Sequence, residues 1–196
     1  MNTFSKKLVN FVRETYNSSD YIPLHAPTFN KRDKDCINDA IDSTFVSTVG
    51  AYVKKFEDQV SNYVGTKYAI ATINGTSALH VALLASKVQI DDEVITQSLT
   101  FVATCNAIKY CGANPIFVDV SRDTMGMSPD SLNEFLHNFS DIGEDGLCRN
   151  KKTGRIIRAC VPMHCLGHPA EIDKIKVICS LHNIKLIEDS AESLGS

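Results

Sequence analysis

The chain has 196 residues, 43% of them hydrophobic and 22% charged, with a formal net charge of −3. That balance describes an ordinary globular chain with core enough for one domain and an appended piece; it excludes a disordered protein and gives no basic footprint for nucleic acid. No apolar run approaches the ~20 residues of a membrane span, and Lys6-Lys7 leads into "LVNFVRETYNSSD", which turns polar too soon for a signal peptide, so the expectation is a cytoplasmic protein without membrane or nucleic-acid partners.

Residues 1–65 read as a helical lead-in. Leu8, Phe11 and Val12 sit at i, i+3, i+4 on a first helix around Lys6 to Tyr16. "NKRDKDCINDAIDS" is a polar-faced helix capped by Asn30, and "AYVKKFEDQVSNYVG" places Val53, Phe56, Val60 and Tyr63 on one stripe ended by Gly65.

From residue 66 the pattern alternates between strands and helices. "KYAIATI" reads as a buried strand, "NGTS" as a turn and "ALHVALLAS" as an apolar helix. "DEVITQS" is a strand leading into the helix "FVATCNAIKYCG", with Gly112 as stop signal, and "NPIFVDV" is a third strand. "SPDSLNEFLHNF" has Ser128 at the N-cap and Pro129 at the first helical position. The charged, glycine-rich "DIGEDGLCRNKKTG" is a surface excursion, expected to be a hairpin turning at Lys152-Thr153-Gly154. "RIIRACVPMH", "AEIDKIKVICSLHN" and "IKLIEDS" then read as strand, helix and strand. Repeated βα units with continuous apolar strands call for an α/β fold, a mostly parallel sheet covered on both faces.

The seven cysteines include no CxxC pair, and most lie in apolar settings such as "VICSL"; they read as reduced, buried thiols. "HCLGH" brings His164, Cys165 and His168 together, but a structural zinc site needs four ligands and no second cluster complements this one, so no metal is expected.

Three stretches carry candidate chemistry. In "NGTSALH", Gly75 permits close backbone approach, and Thr76 and Ser77 bring hydroxyls and unpaired N–H groups to a helix start, an arrangement that favours a phosphate. Ordinary capping by Thr76 or Ser77 would explain the same residues. Neither GxxxxGK[ST] nor GxGxxG occurs, which disfavours a P-loop or an unrelated Rossmann oxidoreductase. Asp189 closes the last strand and is either a structural cap or a functional carboxylate facing a ligand nitrogen. Phe101, in "SLTFVAT", lies just past a strand end, where it either covers an aromatic ligand or packs in the core.

In this order, the three stretches resemble the sugar aminotransferases of the DegT/DnrJ/StrS family. The resemblance runs from "YIPLHAPTF" through "VPMHCLGHPAEID" to "LIEDSAESLGS", nearly the whole chain. It implies the large domain of a type I fold (three layers, αβα) over 66–196, pyridoxal 5'-phosphate as cofactor, a nucleotide-sugar substrate, glutamate as amino donor and a homodimer. It implies that Gly75, Thr76 and Ser77 hold the cofactor phosphate, Phe101 stacks on the pyridine ring, Asp189 pairs with the ring nitrogen, and Glu192 stands beside the cofactor where many relatives carry Gln or His. His164 lies near the site without a catalytic role. "LCRNKKTGRIIRACVPMH" with "EDSAESLGS" looks most like the legionaminic-acid and bacillosamine branch, whose substrates are UDP-linked 4-keto-6-deoxy amino sugars aminated at C4.

One departure matters. The family's Schiff-base lysine lies a few dozen residues beyond "EDSAES", and Lys185 stands at the wrong end of its strand to replace it. The expectation is therefore the front part of an aminotransferase, lacking the nucleophile and the small C-terminal domain and inactive alone. The alternatives are a truncated product that only binds a ligand or a partner subunit, and a dehydratase relative in which His replaces the lysine; the retained "EDSAES" favours transamination.

Overall fold

The computed structural model describes residues 2–23 and 26–196. Leu24 and His25, inside "YIPLHAPTF", lie outside the described residues. Two compact units divide the chain, Met1–Ala69 and Ile70–Ser196.

The first unit holds three helices whose ends follow local chemistry. Helix α1 (Thr3–Tyr16) begins where the Asn2 side chain accepts the Ser5 N–H at 2.8 Å, and it closes on Asn17 in the left-handed region. Helix α2 (Lys31–Asp42) opens with a reciprocal capping box between Asn30 and Asp33, and α3 (Ala51–Val64) stops at Gly65, φ 71°. The Tyr52 hydroxyl joins α3 to α2 by donating to Asp39 Oδ2 at 2.8 Å, and that carboxylate pushes the phenol up to about 12. The expected apolar stripes are present, but no residue of the three helices is buried, and Phe11, Phe56 and Tyr63 remain exposed. A stripe becomes core only where another apolar surface covers it.

The second unit is a three-layer αβα sandwich. Its sheet has four parallel strands in the order β2-β1-β5-β6: β1 Glu93–Gln97, β2 Asn114–Val118, β5 Ile157–Val161 and β6 Lys185–Leu186. Side chains alternate across it. Val94, Ala159 and Val161 face α4 (Gly75–Ala85) and α5 (Val102–Tyr110), with Leu83, Ala107 and Ile108 between. Ile95, Ile157 and Cys160 face α6 (Pro129–Phe139) and α7 (Ile172–Leu181), through Leu132, Leu136 and Ile175. Each fully buried Leu or Ile contributes roughly 1.5–3 kcal/mol. Ser128 caps α6 by accepting the Ser131 N–H, as its sequence position predicts.

Two expectations need correction. Lys67–Ile73 is not a strand: it pairs with no strand among the described residues, and Tyr68, Ile70 and Ile73 are exposed. An apolar run becomes a strand only when a neighbour takes up its backbone hydrogen bonds. The glycine-rich excursion reverses twice, not once. Strands β3 (Ser140–Ile142) and β4 (Cys148–Asn150) pair antiparallel around a first turn pinched by the Asp145–Arg149 ion pair, whose guanidinium holds the Asp145 carboxyl down at about 2. The expected turn at Lys152–Gly154 follows and brings Ile156 against Arg149.

The excursion is anchored by buried charge at the amino end of the sheet. Glu93 pairs with Ile157 and Val94 with Ala159, so Arg158 is the extra residue of a bulge. Its side chain donates to Asp92 at 2.9 Å. The buried Glu93 carboxylate accepts from Asn150 Nδ2 at 2.9 Å and from Thr153 Oγ1 at 2.8 Å. Replacing Glu93 with Ala strands the buried Asn150 amide; urea unfolding is expected to show a loss of about 2 kcal/mol, against less than about 0.5 kcal/mol for an exposed position such as Glu134→Ala.

Candidate functional site

The strand order creates a crevice before any ligand is considered. From β1 the chain crosses over through α5 on one face to reach β2; from β5 it crosses through α7 on the other face to reach β6. Adjacent strands whose connections diverge in this way leave a gap at their carboxyl ends, where α/β proteins bind ligands. Gln97, at the end of β1 and fully buried, spans the gap: its Oε1 accepts the Met163 N–H at 3.2 Å and its Nε2 donates to Leu99 O at 2.9 Å.

A cavity of about 300 Å³ opens there, lined by residues from four separate segments of the second unit. The first segment is the start of α4. Asn74 is the N-cap, its Oδ1 accepting the Ser77 N–H at 2.8 Å. The alternative that Thr76 or Ser77 merely caps the helix is therefore not what the structure shows. Gly75 and Thr76 line the cavity, and their N–H groups, the first two of the helix, have no partner among the described residues; the Ser77 N–H is already taken and Ser77 is not among the lining residues. A Cβ at Gly75 would meet nothing within 4 Å, so the glycine leaves the helix end open to a ligand.

The second segment starts α5. Phe101 occupies its N-cap position with the ring 67% exposed and bordering the cavity, so it is not a core residue. The third, after β5, contributes the buried Met163, whose sulfur lies 3.4 Å from the Phe101 backbone N. The fourth is the loop beyond β6. Asp189 extends the strand pairing: its N–H donates to Pro162 O at 2.9 Å, its C=O accepts from the His164 N–H at 3.2 Å, and it bridges Met163 in parallel. Its carboxylate is buried at the cavity wall, with Oδ2 accepting from Thr104 Oγ1 at 2.7 Å. Glu192 also lines the cavity, and its Oε2 accepts the Leu166 N–H at 2.6 Å, fixing a single 3₁₀ turn at Cys165–Gly167 in which Leu166 has φ 53°.

Five of the six residues singled out in the sequence thus converge. Asn74, Gln97, Met163 and Thr104 were missed. A polar residue ending an otherwise apolar strand and an Asn one position before the glycine were signals for Gln97 and Asn74; a buried Thr and Met give none. His164 is buried with both ring nitrogens engaged, Nδ1 accepting from the Ala170 N–H at 3.0 Å and Nε2 lying 3.2 Å from Glu188 Oε2. All seven cysteines are free thiols, five of them buried, and Cys165 is pushed up by its burial and by the Glu192 charge. No lysine lines the cavity among the described residues, and Lys185 opens β6 opposite Ala159.

The cavity therefore combines two kinds of group: N–H groups at the positive end of α4, without partners among the described residues, and the carboxylates of Asp189 and Glu192. An aromatic ring borders it. The DegT/DnrJ/EryC1/StrS aminotransferase family matches the chain over residues 27–196. The chain belongs to this family.

Among its relatives, the GDP-perosamine synthase of Escherichia coli O157:H7 is 39% identical over 90% of the chain, and that of Caulobacter vibrioides is 34% identical over 89%. These alignments take in 44% and 43% of the relatives, so the chain spans less than half the length of the curated aminotransferases it matches. An aminotransferase from Psychrobacter cryohalolentis superposes with a TM-score of 0.72 and 31% identity, over 88% of this chain and 40% of that one. A GDP-4-keto-6-deoxymannose-3-dehydratase, solved with a trapped PLP-glutamate geminal diamine, gives a TM-score of 0.72 at 26% identity, over 90% of this chain and 42% of that one. These neighbours place the second unit in the type I fold of this aminotransferase family.

Because the α4 cap sits at the cavity rim, it can be tested by stability alone. Asn74→Ala should cost about 1 kcal/mol in chemical unfolding, and Asn74→Asp, which keeps the acceptor, should cost less than half of that.

Proposed function

We propose that this chain is the cofactor-binding part of a pyridoxal-phosphate-dependent aminotransferase that transfers an amino group from glutamate to the 4-keto carbon of a nucleotide-linked sugar. In this reading residues 1–65 are a helical lead-in and 66–196 are part of the large domain of a longer, homodimeric protein. The lining of the cavity carries the proposal: helix-end N–H groups and a buried carboxylate border one space with an exposed aromatic residue. Few common cofactors carry a phosphate, an aromatic ring and a basic ring nitrogen together, and pyridoxal phosphate is one. The residues present fit it.

When bound, the cofactor supplies an electron sink for bonds broken at the donor's α-carbon. The protein's part is to hold and orient it. Gly75 and Thr76 present N–H donors to the phosphate, where the dipole of α4 adds to the attraction. The Phe101 ring would cover one face, a contact of about 0.5–1.5 kcal/mol. The Asp189 carboxylate would accept a hydrogen bond from the protonated ring nitrogen and so hold the proton there; such a charge-assisted bond is worth about 1.5–3 kcal/mol. Glu192, at the rim, is set to meet the substrate side.

The nucleotide is the finer question. The stretch from Leu147 to His164 supports a UDP-linked amino sugar, as in the legionaminic-acid and bacillosamine branch, whereas the two relatives above act on GDP-linked sugars by their names. Assays should therefore compare GDP- and UDP-linked 4-keto-6-deoxy sugars.

Pyridoxamine 5'-phosphate, which needs no lysine, should bind the 196-residue chain reversibly in calorimetry, and Asp189→Ala should weaken it about 10- to 150-fold. With glutamate and either nucleotide sugar the chain alone should give no amino transfer, and borohydride with pyridoxal phosphate should label no single lysine. Specific labelling of one lysine with turnover would overturn that part of the reading. Apolar surface left open at Phe117, Val177 and Leu181 should also make the chain self-associate in light scattering as concentration rises.

A further inference from the structure

The carboxylate of Asp189 is held by a pair of threonines that the cofactor reading does not use. Thr104 is almost fully buried on the first turn of α5, and its Oγ1 lies 2.7 Å from Asp189 Oδ2. One helical turn earlier, Thr100 Oγ1 lies 2.8 Å from Thr104 Oγ1. The direction of these bonds is settled by proton counting. An ionised carboxylate only accepts, so Thr104 donates its single proton to Asp189. Thr104 then has none for Thr100, and Thr100 must donate to Thr104. The other acceptors within reach of Thr100, Met163 Sδ at 3.1 Å and Phe101 O at 3.3 Å, are a weak thioether and a longer contact.

The result is a one-way chain, Thr100 to Thr104 to Asp189, with each O–H polarising the next toward the carboxylate. Thr104 is β-branched and packed, so its hydroxyl has little freedom to leave. The backbone of Asp189 is pinned on both sides by its bonds with Pro162 and His164. Among the described residues its second oxygen, Oδ1, receives only the Ala191 N–H at 3.4 Å. One oxygen is thus tied down and the other is left weakly engaged.

We propose that Thr104, itself set by Thr100, is a positioning residue that fixes the rotation of the Asp189 carboxylate so that its less engaged oxygen meets the ring nitrogen of the cofactor. This rests on the pyridoxal-phosphate reading of the site. Thr104 is not among the residues lining the cavity and would act through Asp189.

The test compares two probes on the 196-residue chain: pyridoxamine 5'-phosphate and its 1-deaza analogue, in which a C–H replaces the ring nitrogen. The unsubstituted chain should prefer the nitrogen-bearing probe by about tenfold or more. Thr104→Val should shrink that preference about tenfold while leaving affinity for the deaza analogue within about twofold, Thr104→Ser should keep most of the preference, and Thr100→Val should shrink it about threefold. If Thr104→Val weakens both probes equally, or leaves the preference intact, Thr104 is only structural and the proposal falls while the cofactor reading stands. If the unsubstituted chain shows no preference, the Asp189–nitrogen contact is itself wrong and both fall. Should Thr104→Val fail to fold, Thr104→Ser and Thr100→Val make the same comparison: a preference lowered by Thr100→Val and kept by Thr104→Ser supports the proposal, and no change in Thr100→Val overturns it.

Discussion

Strands β1 and β5 lie side by side, yet their chains leave for opposite faces of the sheet. That divergence is the constraint on which the rest of the site depends. It opens the crevice, and it sets Phe101, Met163 and Asp189 around one space, because each lies just past the carboxyl end of a strand. Helix α4 packs beside α5 on the same face and turns its N-terminus toward the same opening. Gln97 bridges the gap with its side chain, accepting the Met163 N–H and donating to Leu99 O.

The two ends of the sheet are built for different purposes. At the amino end, buried carboxylates are matched by side chains of the chain itself: Asp92 by Arg158, and Glu93 by Asn150 and Thr153. At the carboxyl end, the N–H groups of Gly75 and Thr76 have no partner among the described residues, and Asp189 keeps acceptor capacity despite its burial. The first N–H groups of a helix have no intrahelical partner, so they are free to meet an anion that enters the cavity. Membership of the aminotransferase family over residues 27–196 agrees with that contrast.

Much of this was legible in the sequence, and the exceptions have physical causes. Helices α4 to α7 and strands β1, β2 and β5 follow from periodicity and from caps such as Ser128-Pro129, because their apolar faces are buried within their own unit. Lys67–Ile73 shows the opposite case: its composition is that of a strand, but composition cannot supply a neighbour. The stripe of α3 is likewise real and unburied. Within the site, Gly75, Thr76, Phe101 and Asp189 could be picked because strand ends and helix starts are readable, and Glu192 through the family resemblance alone. Thr104 could not, since its role depends on a contact 85 positions away along the chain.

The account's central claim is that phosphate and ring nitrogen occupy opposite ends of one cavity. A crystal structure of the chain with pyridoxamine 5'-phosphate tests it most directly. The prediction is density for the phosphate within hydrogen-bond distance of the Gly75 and Thr76 N–H groups, the ring against Phe101 and its nitrogen within about 3 Å of an Asp189 oxygen. Density for the ligand in the reverse orientation, or bound outside this cavity, would contradict it.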